Sequence, residues 1–193
     1  MQTEEDVVPI PAITFLMGFI KDKIMNKNKE LLPYYEKARD LLDYDAETGV
    51  VTRFVKSSNS QKEVGSMSGS GYRRIRVTLS GIKRDLLAHR LAWFITHGEL
   101  PNVIDHIDRD KLNNAIKNLR RCSQSENQMN RGKQENNKSG YKGVYWCKKE
   151  NKYKAQIGHK RKKYYLGSFD CPKEASKAYE AKAKEIHGEF YAT

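Results

Sequence analysis

Apolar and polar residues alternate with a period of two in two parts of this chain, and each part is followed by a stretch of helical period. In "YRRIRVTL", Ile75, Val77 and Leu79 fall on one face and Arg74, Arg76 and Thr78 on the other, as in a strand with one buried side. "SGIK" then turns the chain back into "RDLL". Leu87, Leu91, Phe94 and Ile95 recur at helical spacing in "AHRLAWFITHGELP", which predicts an amphipathic helix that stops at Gly98, with Pro101 beyond it. Upstream, a short helix is predicted from Leu31 to about Ala38, and "LLDYDAETGVVTRFVK" predicts a hairpin turning at Glu47 to Gly49. A Ser/Gly-rich loop separates that hairpin from Tyr72. Residues 42–100 are thus predicted as two hairpins closed by a helix.

Residues 128–139, "QMNRGKQENNKS", are polar throughout and read as a linker. Beyond them, three short aromatic-rich alternating runs, separated by "KEN" and "HKRK", predict a three-stranded antiparallel sheet. "CPKEASKAYEAKAKEIHG" predicts a helix that starts at Pro172 and ends at Gly188, with Ala175, Ala178, Tyr179, Lys182 and Ile186 along one stripe. Small alanines let such a helix lie close on a sheet. Trp146, Tyr153, Leu166 and Phe169 are expected to pack against it.

Charge sharpens this division. The formal net charge is +12, and residues 1–130 carry 20 Lys and Arg against 17 Asp and Glu, whereas residues 131–193 carry 16 against 7. The excess is therefore +3 in the first part and +9 in the last third, which points to a polyanion as partner, because each lysine or arginine placed on a phosphate releases a condensed counterion. Cys122, Cys147 and Cys171 are odd in number and widely spaced, so neither a disulfide framework nor a zinc pair is indicated, and a reducing compartment follows. The long apolar run, "VVPIPAITFLMGFI", covers 14 residues, holds Pro9 and Pro11, and follows Glu4, Glu5 and Asp6. It fits neither a signal peptide nor a membrane helix. Residues 1–30 read as an extension or docking segment.

Candidate chemistry concentrates in "IDHIDRDKLNNAIKNLRRCSQSENQMN", residues 104–130. An EF-hand loop would place Leu112 and Asn113 at its third ligand and its glycine, so that reading fails. No H-E-x-x-H is present, and no serine or cysteine is framed as an activated nucleophile. His106, Asn118 twelve residues later and Asn127 nine further on form a spaced set, and Ser123 with Glu126 makes a capping box. A helix is therefore predicted from about Gln124, carrying Asn127 on its first turns, after two strand candidates, "VIDHI" and "NLRRCS". Asp105 and His106 are neighbours, and neighbours on a regular strand face opposite ways, so a bulge or a strand end is expected there.

This β, loop, β, α pattern, with "AHRLAW", "DHID", "NN", "NL" and "SEN" in order, resembles the phage-type HNH nuclease family in its HNN variant, over roughly residues 40–130. The resemblance implies a ββα-metal core that hydrolyses phosphodiester bonds. By position, His106 would be the general base, Asn118 would brace the loop and orient His106, and Asp105 and Asn127 would ligate one divalent cation. A carboxylate with an amide favours Mg2+ or Mn2+ over zinc. Histidine is the side chain whose charge changes near neutral pH, as such a base requires. His89 in "AHRLAW" sits on an otherwise apolar helix and is expected to be a core histidine.

Residues 139–190, through "GV", "KYKAQI", "YLGSF", "EAxxAY" and "HGEF", resemble the ethylene-response-factor or APETALA-type DNA-binding domain. That resemblance implies a sheet laid in the major groove of duplex DNA. The implied DNA-facing positions are Lys142, Tyr145, Cys147, Lys149, Gln156, Gly158, Lys163 and Tyr165. Lysines there lack the planar fork of arginine that reads guanine, so more phosphate contact and less base discrimination are expected, while Gln156 keeps the means to pair with adenine.

The expectation is an α+β chain: an extension at 1–30, an HNH nuclease domain at 31–130 with its ββα-metal motif at 102–130, a linker at 131–139, and at 140–193 a small three-stranded antiparallel sheet packed on one helix. It would act as a monomeric, metal-dependent, homing-type endonuclease that nicks double-stranded DNA in the cytoplasm of a bacterial or phage-infected cell, with no membrane partner. The rivals are a transcription-factor-like DNA binder on an inactive nuclease scaffold and a nuclease acting on RNA or on particular nucleic-acid structures.

Overall fold

The structure is a computed structural model that describes residues 28–133, 136–160 and 162–191. By packing, these residues fall into two units, one of residues 28–45 and 50–102, the other of residues 46–49 and 103–191. The expected extension at 1–30 lies almost wholly outside the described residues. No helix among them is long and apolar enough to cross a membrane.

The first unit begins with helix α1 (28–41), longer at both ends than its predicted core. Two antiparallel three-stranded sheets follow. One runs β1 (Asp43–Tyr44), β2 (Val51–Val55), β3 (Ser60–Glu63), and the other β4 (Ser66–Met67), β5 (Arg73–Leu79), β6 (Ile82–Leu87). The alternation in β5 is realised, since Ile75 and Val77 are buried while Arg76 reaches out to Asp85 at 2.7 Å. Helix α2 (Ala88–His97) closes the unit, capped by Gly98 in the left-handed region at φ 70°. Its buried Leu91 and Phe94 join Tyr34, Tyr35, Val51, Ile75 and Leu86 in one core. Strands β3 and β4 stand where a Ser/Gly-rich loop is predicted. Most of their side chains are exposed, so backbone hydrogen bonding forms them without leaving an apolar alternation in the sequence.

In the second unit, β7 (Val103–His106) and β8 (Leu119–Cys122) pair antiparallel, and α3 (Gln124–Asn130) follows. Then β9 (Val144–Cys147), β10 (Lys152–His159) and β11 (Lys162–Phe169) form a meander with β10 at its centre, and α4 (Pro172–His187) packs on it. The buried stripe of α4 is Ala175, Ser176, Tyr179, Ala183 and His187, rather than one running through Ala178, Lys182 and Ile186, which are half-buried on its flank. Alanines at 175 and 183, with no exposed area, let the helix approach the sheet, whereas the Lys182 ammonium turns out to Glu185 at 2.6 Å. Tyr179 lies so close to Gly143 (φ 72°) that a Cβ there would fall 2.1 Å from its ring. Tyr153, Leu166 and Phe169 pack on the Ala155–Ala175 core as expected. Trp146 does not: it stays 43% exposed, edge-on to Tyr153 at 4.7 Å.

Candidate nuclease site and nucleic-acid face

Strand β7 pairs with β8 in unbroken register, Asp105 opposite Arg120 and His106 opposite Leu119, and it ends at His106 without a bulge. Asp105 and His106 are both buried, at 5% exposure. Strand alternation gives them different neighbours. Two N–H groups of Arg120 donate to Asp105 Oδ2, from Nε at 2.9 Å and Nη2 at 2.7 Å. Asn130 Nδ2 donates to both carboxylate oxygens at 2.9 Å and to the His106 carbonyl at 2.7 Å.

The His106 ring meets the loop instead, with Nε2 3.2 Å from Asn114 Oδ1. Asn114 Nδ2 donates to the Leu112 carbonyl at 3.1 Å, which turns Oδ1 toward the ring as an acceptor. A neutral imidazole in that contact carries its proton on Nε2 and its basic lone pair on Nδ1. Asn114 is itself held by packing. The turn 46–49 lies against it, and a Cβ on Gly49 (φ 76°) would fall 2.3 Å from the Asn114 carbonyl carbon and 2.2 Å from the Ala115 nitrogen. Ala46 O accepts from Ile116 N at 2.9 Å.

Asn118 ties the loop together. Its Nδ2 donates to Asp108 Oδ1 and to Asn113 O, both at 2.8 Å, and its Oδ1 accepts from Asp108 N at 3.0 Å. Asp108 also accepts from Asp110 N at 2.8 Å and Asn113 Nδ2 at 2.7 Å. Burial pushes the Asp108 carboxyl up, but these hydrogen bonds and the nearby His106 outweigh it and hold the group below its ordinary value. The acidic residues after His106 therefore serve the loop's own backbone, which is why their spacing resembles a calcium loop without forming one.

Helix α3 starts at the expected capping box: Glu126 N donates to Ser123 Oγ at 3.2 Å, and Ser123 N to Glu126 Oε2 at 2.7 Å. Asn127 is half-buried on this helix. Asn130 lies three residues on, along the same face, and is 2% exposed. It is Asn130 whose amide touches Asp105. Its Oδ1 is buried and has no hydrogen-bond partner among the described residues. Spacing singles out neither Asn130 nor Asn114, because "SENQMN" and "KLNN" each offer two asparagines and only the packed loop and helix choose between them. The Cys122 thiol, pushed up to about 11 by burial and then by Asp105 and Glu126, is no nucleophile at neutral pH. No cluster of three or more His, Cys, Asp or Glu suited to a metal occurs among the described residues. His89, in the first unit, is buried with its ring 5.1 Å from that of Tyr72.

On the C-terminal sheet, cross-strand pairing sets Tyr145 opposite Lys154, Gln156 opposite Tyr165 and Gly158 opposite Lys163. Tyr145, Gln156, Lys163 and Tyr165 are exposed on one face, away from α4. Lys154 shares that face by strand parity, with its Nζ 5.7 Å from the Tyr165 ring centroid, although it was not among the expected DNA-facing residues. Lys149 is exposed in the β9–β10 turn. Lys142 points elsewhere: Nζ donates to the Met129 carbonyl at 2.6 Å, on the last turn of α3, and burial, then Arg109, lowers its pKa. A cleft of about 450 Å3 lies between α3 and the sheet, lined by Gln128, Arg131, Lys142, Tyr145, Gln156 and Lys163 among others.

Comparison with known proteins agrees with both halves of this geometry. The family described as HNH endonuclease matches residues 86–129, and the AP2 domain matches residues 139–189. Protein 3.8 of Escherichia phage T7 is 32% identical over 104 residues, which are 53% of this chain and 85% of that protein. An uncharacterized HNH endonuclease, L560, of Acanthamoeba polyphaga mimivirus is 32% identical over 107 residues, 54% of either chain. Among solved structures, one of the HNH homing endonuclease I-HmuI, described by its DNA binding and cleavage, is 28% identical, with a TM-score of 0.38 over 47% of this chain and 51% of that one. With a buried Asp–His pair at the strand end, a helix capped as the motif requires and a basic sheet module behind it, this chain belongs to the HNH endonuclease family and carries an AP2 DNA-binding domain.

Proposed function

We propose that this DNA endonuclease is divalent-metal dependent, using Mg2+ or Mn2+, and that it acts as a monomer to nick duplex DNA held on the exposed sheet face. The observation that carries the reading is the convergence, at the end of β7, of a buried carboxylate and a buried imidazole, each oriented by its own asparagine. His106 is the general base. Its Nδ1 takes a proton from a water whose oxygen attacks phosphorus; the P–O3′ bond breaks, the leaving 3′ oxygen takes a proton from solvent water, and the products are a 5′-phosphate and a 3′-hydroxyl. Asn114 fixes the ring's tautomer, and Asn118 keeps the loop that carries Asn114 in shape.

The donor set fits a hard cation. Asp105 supplies a carboxylate, Asn127 on the same face of α3 as Asn130 supplies an amide oxygen, and the buried Oδ1 of Asn130 has no hydrogen-bond partner among the described residues. A divalent ion bound there offsets charge on the scissile phosphate and on the leaving oxygen. Asn130 holds the Asp105 carboxylate in place. One site per chain accounts for nicking by a monomer. Tyr145, Lys149, Lys154, Gln156, Lys163 and Tyr165 meet the duplex, the lysines mainly on phosphates.

The test is cleavage of supercoiled plasmid in Mg2+, on a gel that separates nicked from linear product. Nicked circles are expected, EDTA abolishes them, and His106→Ala lowers the rate by about 100-fold or more while binding persists. Equal cutting by wild type and His106→Ala would remove His106 from the chemistry and favour an inactive nuclease scaffold.

A further inference from the structure

Arg120 joins two parts of the molecule that the sequence separates by almost seventy residues. From β8 it faces Asp105 directly, and both Nε and Nη2 donate to Oδ2, while Asn130 Nδ2 reaches both carboxylate oxygens. Its Nη1 donates to the backbone carbonyl of Glu189, and its guanidinium carbon stands 4.3 Å from the centroid of the Phe190 ring. Glu189 and Phe190 belong to the 3-10 turn Gly188–Phe190 that follows α4, in the "HGEF" stretch where the AP2 match, residues 139–189, ends. The ion pair with Asp105 is sheltered: side-chain exposure is 14% for Arg120 and 6% for Asp105.

An ion pair exposed to water would do little here. A sheltered one fixes both groups, and a guanidinium 2.7 Å from a carboxylate oxygen opposes the approach of a second cation to that carboxylate. How firmly Arg120 sits on Asp105 depends on what holds it from behind. That hold is a carbonyl and an aromatic face, both from the DNA-binding domain.

We propose that the terminal turn of the AP2 domain, Glu189 and Phe190, sets the affinity of Asp105 for its divalent cation by holding Arg120 against the carboxylate. The C-terminal domain is then part of the nuclease centre as well as the means of gripping DNA. Arg120 is a positioning residue, since it acts through Asp105. This inference rests on the reading of Asp105 as a cation ligand given above.

The experiment titrates the full-length protein with Mn2+ alone, without DNA, and reads free Mn2+ by electron paramagnetic resonance. Thermal melting and DNA affinity in EDTA are measured alongside. Asp105→Asn tests the underlying reading: it should lose the Mn2+ bound by wild type, and Mn2+ binding equal to wild type would overturn Asp105 as a ligand. Phe190→Ala tests the inference itself. Its Mn2+ dissociation constant should fall by about three- to fivefold, the equivalent of one cation–π contact, with DNA affinity unchanged and Phe190→Trp like wild type. An unchanged or raised Mn2+ dissociation constant in Phe190→Ala overturns it. Arg120→Lys, which keeps the charge but not the fork, should move the constant in the same direction as Phe190→Ala and keeps the buried carboxylate compensated where Arg120→Ala would not.

Discussion

Between Val103 and Asn130 the buried side chains are mainly polar, with Asp105, His106, Asn114, Asn118 and Asn130 outnumbering Ile104, Ala115 and Leu119. Between Val144 and His187 the balance is reversed: among the described residues Val144, Ala155, Ile157, Ala175, Tyr179 and Ala183 are buried, and only Ser176 and His187 of the buried side chains are polar. In the first region Asn114, Asn118 and Asn130 each have side-chain partners at set distances, so the region specifies positions. The second region fills space. A hydrogen-bonded network of this kind adds little net stability but fails sharply when one member is lost, whereas an apolar core loses stability in proportion to the volume removed. Substitutions in the first should therefore act on chemistry, and those in the second on folding and on DNA affinity that depends on it.

Four measurements bear on that contrast. Tyr179→Ala removes the largest buried ring of the second region and should cost about 3 to 5 kcal/mol in urea unfolding, with DNA affinity falling in step. A small loss would mean the sheet and helix are held by something other than that core. Asn130→Ala should cost about 1 to 3 kcal/mol, by leaving Asp105 Oδ1 and the His106 carbonyl without the Asn130 donor, while Arg120 still holds Oδ2. Here cleavage should fall far more than binding, and an equal fall in both would erase the distinction between the regions. Lys163→Ala should leave cutting at saturating DNA unchanged and reduce the slope of log affinity against log salt by about 1.

The smallest effect concerns pH. Burial, then Lys142 and His159, lower the His187 pKa below its ordinary value, so the folded domain favours the neutral ring. Its contribution is complete above about pH 6.5 and declines as the pH falls below that value toward the depressed folded pKa, because the unfolded chain binds the proton more readily. His187→Gln should flatten the dependence of melting temperature on pH between about 6.5 and 5, while the acid sensitivity centred on Asp108, whose pKa is also lowered, stays below about pH 4.

The elements easiest to read in the sequence are those with one buried face. Strand β5, helix α2, the C-terminal meander and the Ser123 capping box all appear where period, glycine cap or turn chemistry places them. Strands β3 and β4 do not, since residues such as Ser60, Lys62 and Ser66 bury nothing and leave no alternation. The stripe on α4 is legible as a stripe but not in phase, because Ala178 and Ala183 are equally small and only contact with β10 decides which is buried. Trp146 is apolar and is expected on the helix side, yet the margin of the sheet leaves it edge-on to Tyr153 and half open.

For the candidate site, the sequence by itself determined the residue types. It placed one carboxylate beside one imidazole at the end of a strand, followed them with a capped helix of amides, and concentrated positive charge in the last third of the chain. Residue type and local spacing suffice for that, because strands, caps and counterion release are properties of short segments and of composition. Only the tertiary structure decided which asparagine orients His106, which one grips Asp105, and that Arg120 joins the carboxylate to the turn after α4. Those choices are made between groups far apart in sequence, by the packing of Gly49 on Asn114 and of Phe190 on Arg120, and no local pattern carries them.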